Sequence, residues 1–411
     1  MADATPVFTP TAADEGRHPP GGEELWGESW YLDWAASDCS YGGYVRLGLY
    51  PNLGKSWWWI ALVGQDSPLV LTVEHDMPCA DGNAALDVSV DGTAYSVASL
   101  EPFGDFRVTS TATGVVLPDP AQAFHGLEGE RVPVTLDLTW AARAEVYPYP
   151  MTTRYEISSW VTGTVTIGDE TIAVDCGGQR DHSWGVRDWW LFPWNWTSGA
   201  FADGSFVHAA RSIIPGLDVF STGYTVAPDG ALTPAATVEN TVDIDDEKIP
   251  TAARQQIGDV AFTTEPIGHA PILLVAPDGR ETRFPRAMCR YTTADGTIGT
   301  GWTEYNWPPD FPSEGAPIAL GAARPIDLLW SGRHALWFYA SQGGSVRDGS
   351  GGGRRPVGAS AASRARTAAN VRRSRPHRGL RRDREHRDEP ADPGCGDGRQ
   401  HLHRTWTGPS S

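Results

Sequence analysis

The stretch VTGTVTIGDETIAV, residues 161–174, decides the fold class of this chain. Apolar side chains alternate with polar or small ones on both sides of a Gly-Asp pair, which is the pattern of two antiparallel strands joined by a tight turn. Residues 86–97 repeat this pattern around an Asp-Gly pair, and further strand patterns lie at 68–75 and 132–140. The sequence therefore predicts a mainly β protein.

Helical periodicity is scarce, because only residues 120–127 and 251–257 fit a turn or two of helix. Regularly spaced strands with turn signals indicate an antiparallel barrel or sandwich. We predict two consecutive β domains, at residues 25–174 and 175–340, with few short helices. Residues 1–24 are predicted to be disordered.

The net charge of −18 is unevenly distributed along the chain. Residues 343–411 contain 15 Arg, no Lys and 7 acidic residues, so this segment carries +8 and the preceding residues carry −26. The segment has few large apolar residues and cannot form a core. We interpret residues 341–411 as a disordered tail, produced by out-of-frame translation or cloning in preference to a nucleic-acid arm. The acidic body argues against a nucleic-acid partner.

Several other classes of protein are excluded by composition. No run of 18 apolar residues exists, which argues against membrane insertion, and Met1–Gly22 lacks the features of a signal peptide, so we expect a cytoplasmic protein. The five Cys are scattered without a Cys-x-x-Cys pair, and phosphate-loop and dinucleotide motifs are absent. We therefore predict no metal and no cofactor. The sequence leaves the oligomeric state open.

The richest segment for chemistry is GGQRDHSWGVRDWWLFPWNW, residues 177–196. Asp181 beside His182 is predicted to orient the imidazole and raise its pKa, which would make a proton donor. Arg180 and Arg187 are predicted to hold two carboxylates, those of Asp181 and Asp188, in place. The alternative is that the Asp-His pair only ties strands together through backbone hydrogen bonds.

Tryptophans surround this pair and are predicted to bind an apolar substrate. Trp184, Trp189 and Trp190 would shield a developing cation by cation–π attraction. The alternative is that these indoles are ordinary core residues, since tryptophan clusters usually are.

Two motifs carry a resemblance to a known family. RDHSWG at 180–185, followed by RDW at 187–189, resembles the Asp-His-x-Trp motif of the carotenoid 1,2-hydratase (hydroxyneurosporene synthase) superfamily, and GTGWTEY at 299–305 is similar to an actinobacterial, tocopherol-cyclase-like branch of it. The resemblance implies two lipocalin-like β-barrel domains, the second carrying the motif, with a hydrophobic pocket at or between them. It also implies cofactor- and metal-free hydration or cyclisation of isoprenoids or polyenes.

This chain differs from that family in the residue that would donate the proton. The hydratases use a Tyr-x-Asp on a following strand, and residues 203–211 contain none. Asp203, His208 or Glu304 would have to replace it. Asp203 also fits a turn residue and His208 a core histidine. Glu304 is the better candidate, because flanking aromatic residues that bind the substrate would raise a carboxyl pKa. Those flanking residues are Trp302 and Tyr305. The alternative is that Glu304 is a solvent-facing strand residue.

Two further tryptophan groups have structural interpretations. Trp57-Trp58-Trp59 places indoles on both faces of one strand, so at least one face is covered or binds a ligand. Trp26, Trp30 and Trp34 are spaced at four and fit one face of a helix or a lid.

Three functional hypotheses follow from these features. The first is a cofactor-independent acid–base enzyme of hydratase or cyclase type, acting on a hydrophobic isoprenoid or polyene. The second is a non-catalytic carrier of a hydrophobic small molecule, which needs a pocket but no acid. The third is a structural relative in which the motif only joins the two β domains.

Overall fold

A computed structural model describes residues 8–186, 188–190, 192–212 and 220–308. Within these ranges the chain is almost entirely β-strand, and no α-helix is present. The helical elements of the described chain are short 3₁₀ turns at Ala12–Glu15, Pro51–Leu53, Gly82–Leu86 and Pro120–Phe124. No described helix is long and apolar enough to cross a membrane. The prediction of a mainly β protein is confirmed.

Eleven strands form the first sheet. In chain order they are β1 (Trp26–Ala35), β2 (Gly42–Tyr50), β3 (Lys55–Gly64), β4 (Ser67–Pro78), β5 (Asp87–Val90), β6 (Thr93–Ser99), β7 (Phe106–Leu117), β8 (Glu130–Ala142), β9 (Tyr147–Pro148), β10 (Arg154–Ile167) and β11 (Glu170–Val186). The order β4-β3-β2-β1-β11-β10-β8-β7 closes on itself because β4 also pairs with β7. The result is a closed, eight-stranded antiparallel barrel of lipocalin-like type.

The second sheet contains nine strands, and a small two-stranded sheet accompanies it. The nine are β12 (Trp194–Phe201), β13 (Phe206–Ser212), β14 (Ser221–Val226), β15 (Leu232–Pro234), β16 (Val238–Ile244), β17 (Pro250–Ile257), β18 (Val260–His269), β21 (Arg286–Thr293) and β22 (Ile298–Asn306). Their order is β15-β14-β13-β12-β22-β21-β18-β17-β16, and β19 (Ile272–Val275) pairs with β20 (Glu281–Phe284).

Both hairpins predicted from turn signals are present. β10 and β11 pair antiparallel across residues 168–169, and β5 pairs with β6. Of the two helical predictions, residues 120–124 form a 3₁₀ turn, but residues 251–257 lie in β17. The second prediction is wrong because the strand's pairing with β16 and β18 overrides a weak local periodicity.

The two faces of the first barrel have different surroundings. Trp30 and Trp58 point into the barrel core, whereas Tyr31 and Trp59 pack in a layer between the first sheet and the strands after residue 190. We call this layer, which contains Tyr31, Trp59 and Phe284 at its centre, the interlayer. The prediction that Trp57-Trp58-Trp59 places indoles on both faces of one strand, at least one of them covered, is confirmed, and all three side chains are buried.

Trp26, Trp30 and Trp34 lie on β1, so the prediction of a helix face or lid is wrong. A spacing of four places side chains on one face of a strand as well as near one face of a helix. The pattern alone could not separate these two possibilities.

The motif lies in a different sheet from the one we predicted. β11 stays paired with β1 and β10 as far as Val186, so the Asp-His-x-Trp motif belongs to the first sheet. The change of sheet falls between 186 and 194, not at 174/175. The reason is that β11 is 17 residues long, and its ladder with β10 continues well beyond the turn that suggested a boundary.

The predicted disorder of residues 1–24 is wrong for residues 8–24. Glu15 is 5% exposed and donors from the barrel bind it, so polar contacts order a segment that lacks apolar periodicity. The tail at 341–411 and residues 309–340 of the predicted second domain lie outside the described residues.

Candidate active site

Asp181 and His182 do not form the predicted pair. They are successive residues of β11, and successive side chains of a strand point to opposite faces. His182 lies at the barrel side, stacked on Trp30 with ring centroids 4.2 Å apart. Asp181 lies at the interlayer side, where it is bonded to Arg154. Because they are adjacent in a strand, the two side chains lie on opposite faces of the sheet and cannot act as a pair.

His182 is enclosed by the segment that precedes β1. Its Nδ1 donates to the main-chain oxygen of Asp14 over 2.7 Å, and its Nε2 lies 3.1 Å from Oε1 of Glu28. Tyr155 lies beside the ring and donates its hydroxyl hydrogen to Glu15. Burial lowers the pKa of His182 below its ordinary value, although Glu28 opposes the shift, so the predicted rise is wrong.

Asp181 shares one guanidinium with Glu156. Arg154 donates from Nη2 to Asp181 over 2.7 Å and from Nε to Glu156 over 2.8 Å. Burial raises the pKa of the Asp181 carboxyl to about 8, and the charges of Glu156 and Glu304 add to this effect while Arg154 opposes it. Asp181 is therefore a carboxylic acid that is largely protonated at neutral pH.

Glu156 is the ionised partner in this arrangement. It accepts hydrogen bonds from Tyr149, Gln179 and Trp196 at 2.9–3.1 Å in addition to that from Arg154. Burial works against ionisation, but the charges of His208 and Arg154, together with these donors, hold the pKa of Glu156 below its usual range. Two neighbouring carboxyl groups whose pKa values move apart are typical of an acid–base site.

Glu304 projects into the same layer from β22 but is already neutralised. It forms an ion pair with Arg286 and accepts a hydrogen bond from Trp194 Nε1 over 2.9 Å. Glu304 is 6% exposed. The structure thus brings Asp181 and Glu304 into one buried electrostatic environment, with Glu304 bound to a guanidinium.

Two buried arginines of the interlayer carry N–H groups without an acceptor among the described residues. Arg46 Nη1 has no hydrogen-bond partner there, and neither do Nε and Nη1 of Arg286. The Arg46 guanidinium lies 4.5 Å from the Trp59 ring centroid and 4.9 Å from that of Trp189. Arg286 lies 4.7 Å from that of Phe284. A buried guanidinium with unsatisfied donors is costly, so this aromatic layer is suited to a ligand with hydrogen-bond acceptors.

The predicted substrate-binding aromatics are divided among three places. Trp189, Trp190 and Trp302 contact the interlayer. Trp184 instead stacks on His18 at 3.7 Å, near His182. Tyr305 follows Glu304 on β22, packs in a separate cluster of the second sheet and bonds to Asn240.

The predicted supporting residues make mostly structural contacts. Arg180 points to the barrel side and binds Glu15 at 3.0 Å, so it does not hold Asp181, because the two side chains lie on opposite faces of β11. Asp188 pairs with Arg280. Arg187, its predicted neighbour in the site, lies outside the described residues.

Asp203 lies in a turn, and His208 lies in a buried strand beside Glu156. Asp203 accepts two hydrogen bonds from Ser205 in an exposed turn. His208 is fully buried on β13, 2.8 Å from the Tyr149 hydroxyl, and burial lowers its pKa to about 4. The contacts of Asp203 are those of a turn residue, whereas Nε2 of His208 also lies 3.6 Å from Oε1 of Glu156.

Four functional candidates were missed by the sequence analysis: Arg46, Arg154, Glu156 and Arg286. A signal did exist for Arg46, because it is the one charged residue in the apolar strand GGYVRLGLY. A charged side chain in a strand that is buried on both faces needs a partner or a ligand. The other three lie in strands of mixed polarity, where no such contrast is visible.

A groove of about 440 Å³ lies on the second sheet, lined in part by Asn240, Gln255 and Phe262. None of the predicted site residues lines this groove, and its lining includes no buried carboxyl group. The chemistry therefore points to the interlayer and not to this surface.

Several solved structures are similar to this chain, and the first of them supports the fold. The chain is similar to an AttH-like protein of Nitrosomonas europaea, with 15% identity, a TM-score of 0.50, and coverage of 74% of this chain and 98% of that one. Kievitone hydratase from Nectria haematococca has 12% identity and a TM-score of 0.45, with coverage of 69% and 90%. CghA has 13% identity and a TM-score of 0.41, with coverage of 71% and 90%. No curated protein matches the sequence.

A family model covers most of the described chain. The model for a domain of unknown function, DUF7064, matches residues 11–309. The match includes the segment before β1, both sheets and the Asp-His-x-Trp motif. The chain is therefore a member of the DUF7064 family.

Proposed function

We propose that this protein is a cofactor-independent acid–base enzyme of hydratase or cyclase type, with Asp181 as its proton donor. The observation that carries the proposal is that Arg154 binds both Asp181 and Glu156, while burial raises the pKa of Asp181 beside an ionised Glu156. A carboxylic acid kept neutral near pH 7 in a buried, aromatic layer is suited to protonating a weakly basic carbon.

The proposed reaction uses only groups of this chain and the substrate. Asp181 transfers its proton to one carbon of an alkene, and the aromatic rings of the interlayer stabilise the resulting cation. Water, or a hydroxyl group of the substrate, adds to the second carbon and loses a proton, which returns to Asp181. Addition of water gives hydration, and addition of an internal hydroxyl gives cyclisation.

The substrate we propose is hydrophobic and carries at least one hydrogen-bond acceptor. Aromatic walls favour an apolar isoprenoid or polyene body, as the resemblance to carotenoid hydratases leads us to expect. Arg46 and Arg286 carry N–H groups that have no acceptor among the described residues, and these groups suit a carbonyl, hydroxyl or carboxylate oxygen. Glu304 is then a positioning residue, because its ion pair orients Arg286. A cytoplasmic location remains a prediction.

The test is turnover of a panel of oxygenated terpenoid alkenes by the purified full chain, with products identified by mass spectrometry. We expect products that are either hydrated or isomeric, and a kcat/KM that falls above about pH 8 as Asp181 loses its proton. Asp181→Asn should lower kcat at least about 100-fold. Asp203→Asn is the matched control, because that carboxylate lies in an exposed turn.

Binding measurements separate the enzyme from a carrier. If the wild-type chain binds a panel member without converting it, and Asp181→Asn binds it equally well, the carrier hypothesis replaces the proposal. An Arg46→Met variant should weaken binding in either case, because it removes the unpaired donor while keeping an apolar side chain of similar length.

A further inference from the structure

Three metal-ligand atoms converge at the barrel side of β11, on the opposite face from Asp181. They are Nδ1 of His18, Oε1 of Glu28 and Nε2 of His182, and they all lie within 4.8 Å of one another. Oε1 of Glu28 is 2.8 Å from the His18 nitrogen and 3.1 Å from the His182 nitrogen. Glu28 is 1% exposed and His182 is fully buried.

The outer nitrogen of each imidazole is already bound to an oxygen. His182 Nδ1 donates to the Asp14 main-chain oxygen over 2.7 Å, and His18 Nε2 lies 3.0 Å from the Asp14 carboxylate. An outer N–H donated to an oxygen directs the lone pair of the other nitrogen inward, as second-shell partners do for metal-binding histidines. Both inner nitrogens then face one carboxylate oxygen.

Two neutral imidazoles carry too few N–H groups for the contacts that His18 and His182 make. A neutral imidazole has one N–H, and here each ring has two oxygen partners, so these contacts need extra protons on the imidazoles or carboxyl groups, or a cation between the inner atoms. Arg17 donates to Oε2 of Glu28 over 3.2 Å, and the main-chain N–H of His18 donates to both carboxylate oxygens. These bonds orient Glu28 so that Oε1 is directed towards the two histidines.

The rings themselves are fixed by stacking. His18 stacks on Trp184 with centroids 3.7 Å apart and an interplanar angle of 11°, and His182 stacks on Trp30 at 4.2 Å and 16°. Both imidazole rings are thus held in position before a metal binds, which reduces the free-energy cost of metal binding.

We propose that His18, Glu28 and His182 bind one divalent transition-metal ion, for which Zn²⁺ is the preferred candidate. Two imidazoles and one carboxylate are a common Zn²⁺ donor set, and metal–ligand distances of about 2.1 Å fit donors that lie about 3 Å apart. The ion would fasten the segment before β1 to the barrel. The proposal does not rest on the catalytic role of Asp181, which lies on the other face of β11.

The spacing of the three residues in the sequence gives no metal-binding motif, so the expectation of no metal rested on the cysteine pattern and on the family resemblance. Glu28 lies 10 residues after His18 and 154 residues before His182. No motif with that spacing exists, and only the pairing of β1 with β11 places the three residues together.

The test measures metal binding by the full-length chain and needs no enzymatic assay. Protein stripped with EDTA and dialysed is titrated with ZnCl₂ and with CoCl₂, and bound metal is measured by elemental mass spectrometry. We expect one ion per chain, a rise in melting temperature with Zn²⁺, and a visible absorption band with Co²⁺.

Variants locate the site. His18→Gln leaves every barrel strand unchanged and should weaken Zn²⁺ binding at least about tenfold, and Glu28→Gln should do the same. His125→Gln is the control, since His125 lies elsewhere and pairs with Glu247. Circular dichroism verifies folding of each variant. Folded wild-type protein that binds no stoichiometric metal, or His18→Gln protein that binds it as the wild type does, would overturn the proposal.

Discussion

At the scale of single residues, Asp181 and His182 are neighbours that serve opposite sides of one strand. Asp181 belongs to a buried carboxyl pair organised by Arg154, and His182 belongs to a cluster closed by the segment before β1. The same alternation puts Glu304 in the interlayer and Tyr305 on the other face of β22. Side-chain direction, not sequence distance, decides which groups can act together.

The raised pKa of Asp181 predicts how the free energy of unfolding depends on pH. Its pKa is about 8 in the folded chain and close to 3.9 when unfolded, so the folded state binds the proton more tightly. This contribution is fully present below about pH 4 and is lost as pH rises through about 8. Relative to Asp181→Asn, the wild type should lose on the order of 1 kcal/mol per pH unit between these values.

Urea denaturation of the wild type and of Asp181→Asn, at pH values about one unit apart from about 5 to about 8, measures this difference in the free energy of unfolding. Asp203→Asn, whose carboxylate is in an exposed turn, should follow the wild-type curve. Parallel curves for the wild type and Asp181→Asn would show that burial does not hold the proton on Asp181.

At the scale of elements, β11 is the strand on which both candidate sites depend. It pairs with β1 and β10, so its backbone must approach both closely. Gly178 lies where a Cβ would collide with the Asp33 carbonyl oxygen and would lie 2.6 Å from Val161 Cγ2. Glycine is needed here for close approach between strands, not for an unusual backbone angle.

Gly178→Ala should therefore destabilise the chain by about 2 kcal/mol through overpacking. The midpoint of chemical denaturation measures this change. Gly22→Ala is the matched control, because a Cβ added at Gly22 would meet no other atom within 4 Å. A loss of less than about 0.5 kcal/mol at Gly178 would mean that the strands can separate without cost.

At the scale of the whole described body, a closed barrel, a second sheet and an ordered N-terminal segment enclose the polar groups. The barrel core and the interlayer lie on the two faces of β1, all of whose residues are buried. Asp33 joins the sheets by accepting from Gln179 of the first sheet and Ser198 of the second. The N-terminal segment closes the barrel side through Glu15 and Arg180.

Glu15→Ala tests how firmly that segment is held. It leaves the Arg180 guanidinium buried without its carboxylate, and removing one partner of a buried ion pair costs about 3 kcal/mol or more. Thermal and urea denaturation of the full chain measure the loss. Glu24→Ala, at an exposed position of the same segment, should change stability by less than about 0.5 kcal/mol. Equal stability of Glu15→Ala and Glu24→Ala would show that the ion pair of Glu15 and Arg180 does not hold this segment on the barrel.

The sequence by itself determined the β class, the two main hairpins and the placement of indoles on both faces of the strand that contains Trp57-Trp58-Trp59. These are local properties, because side-chain alternation and turn residues act over a few positions. Tertiary structure alone decided that Asp181 meets Arg154 and that His182 meets Glu28. Those partners are set by pairing between distant strands, and alternation cannot predict which strands pair.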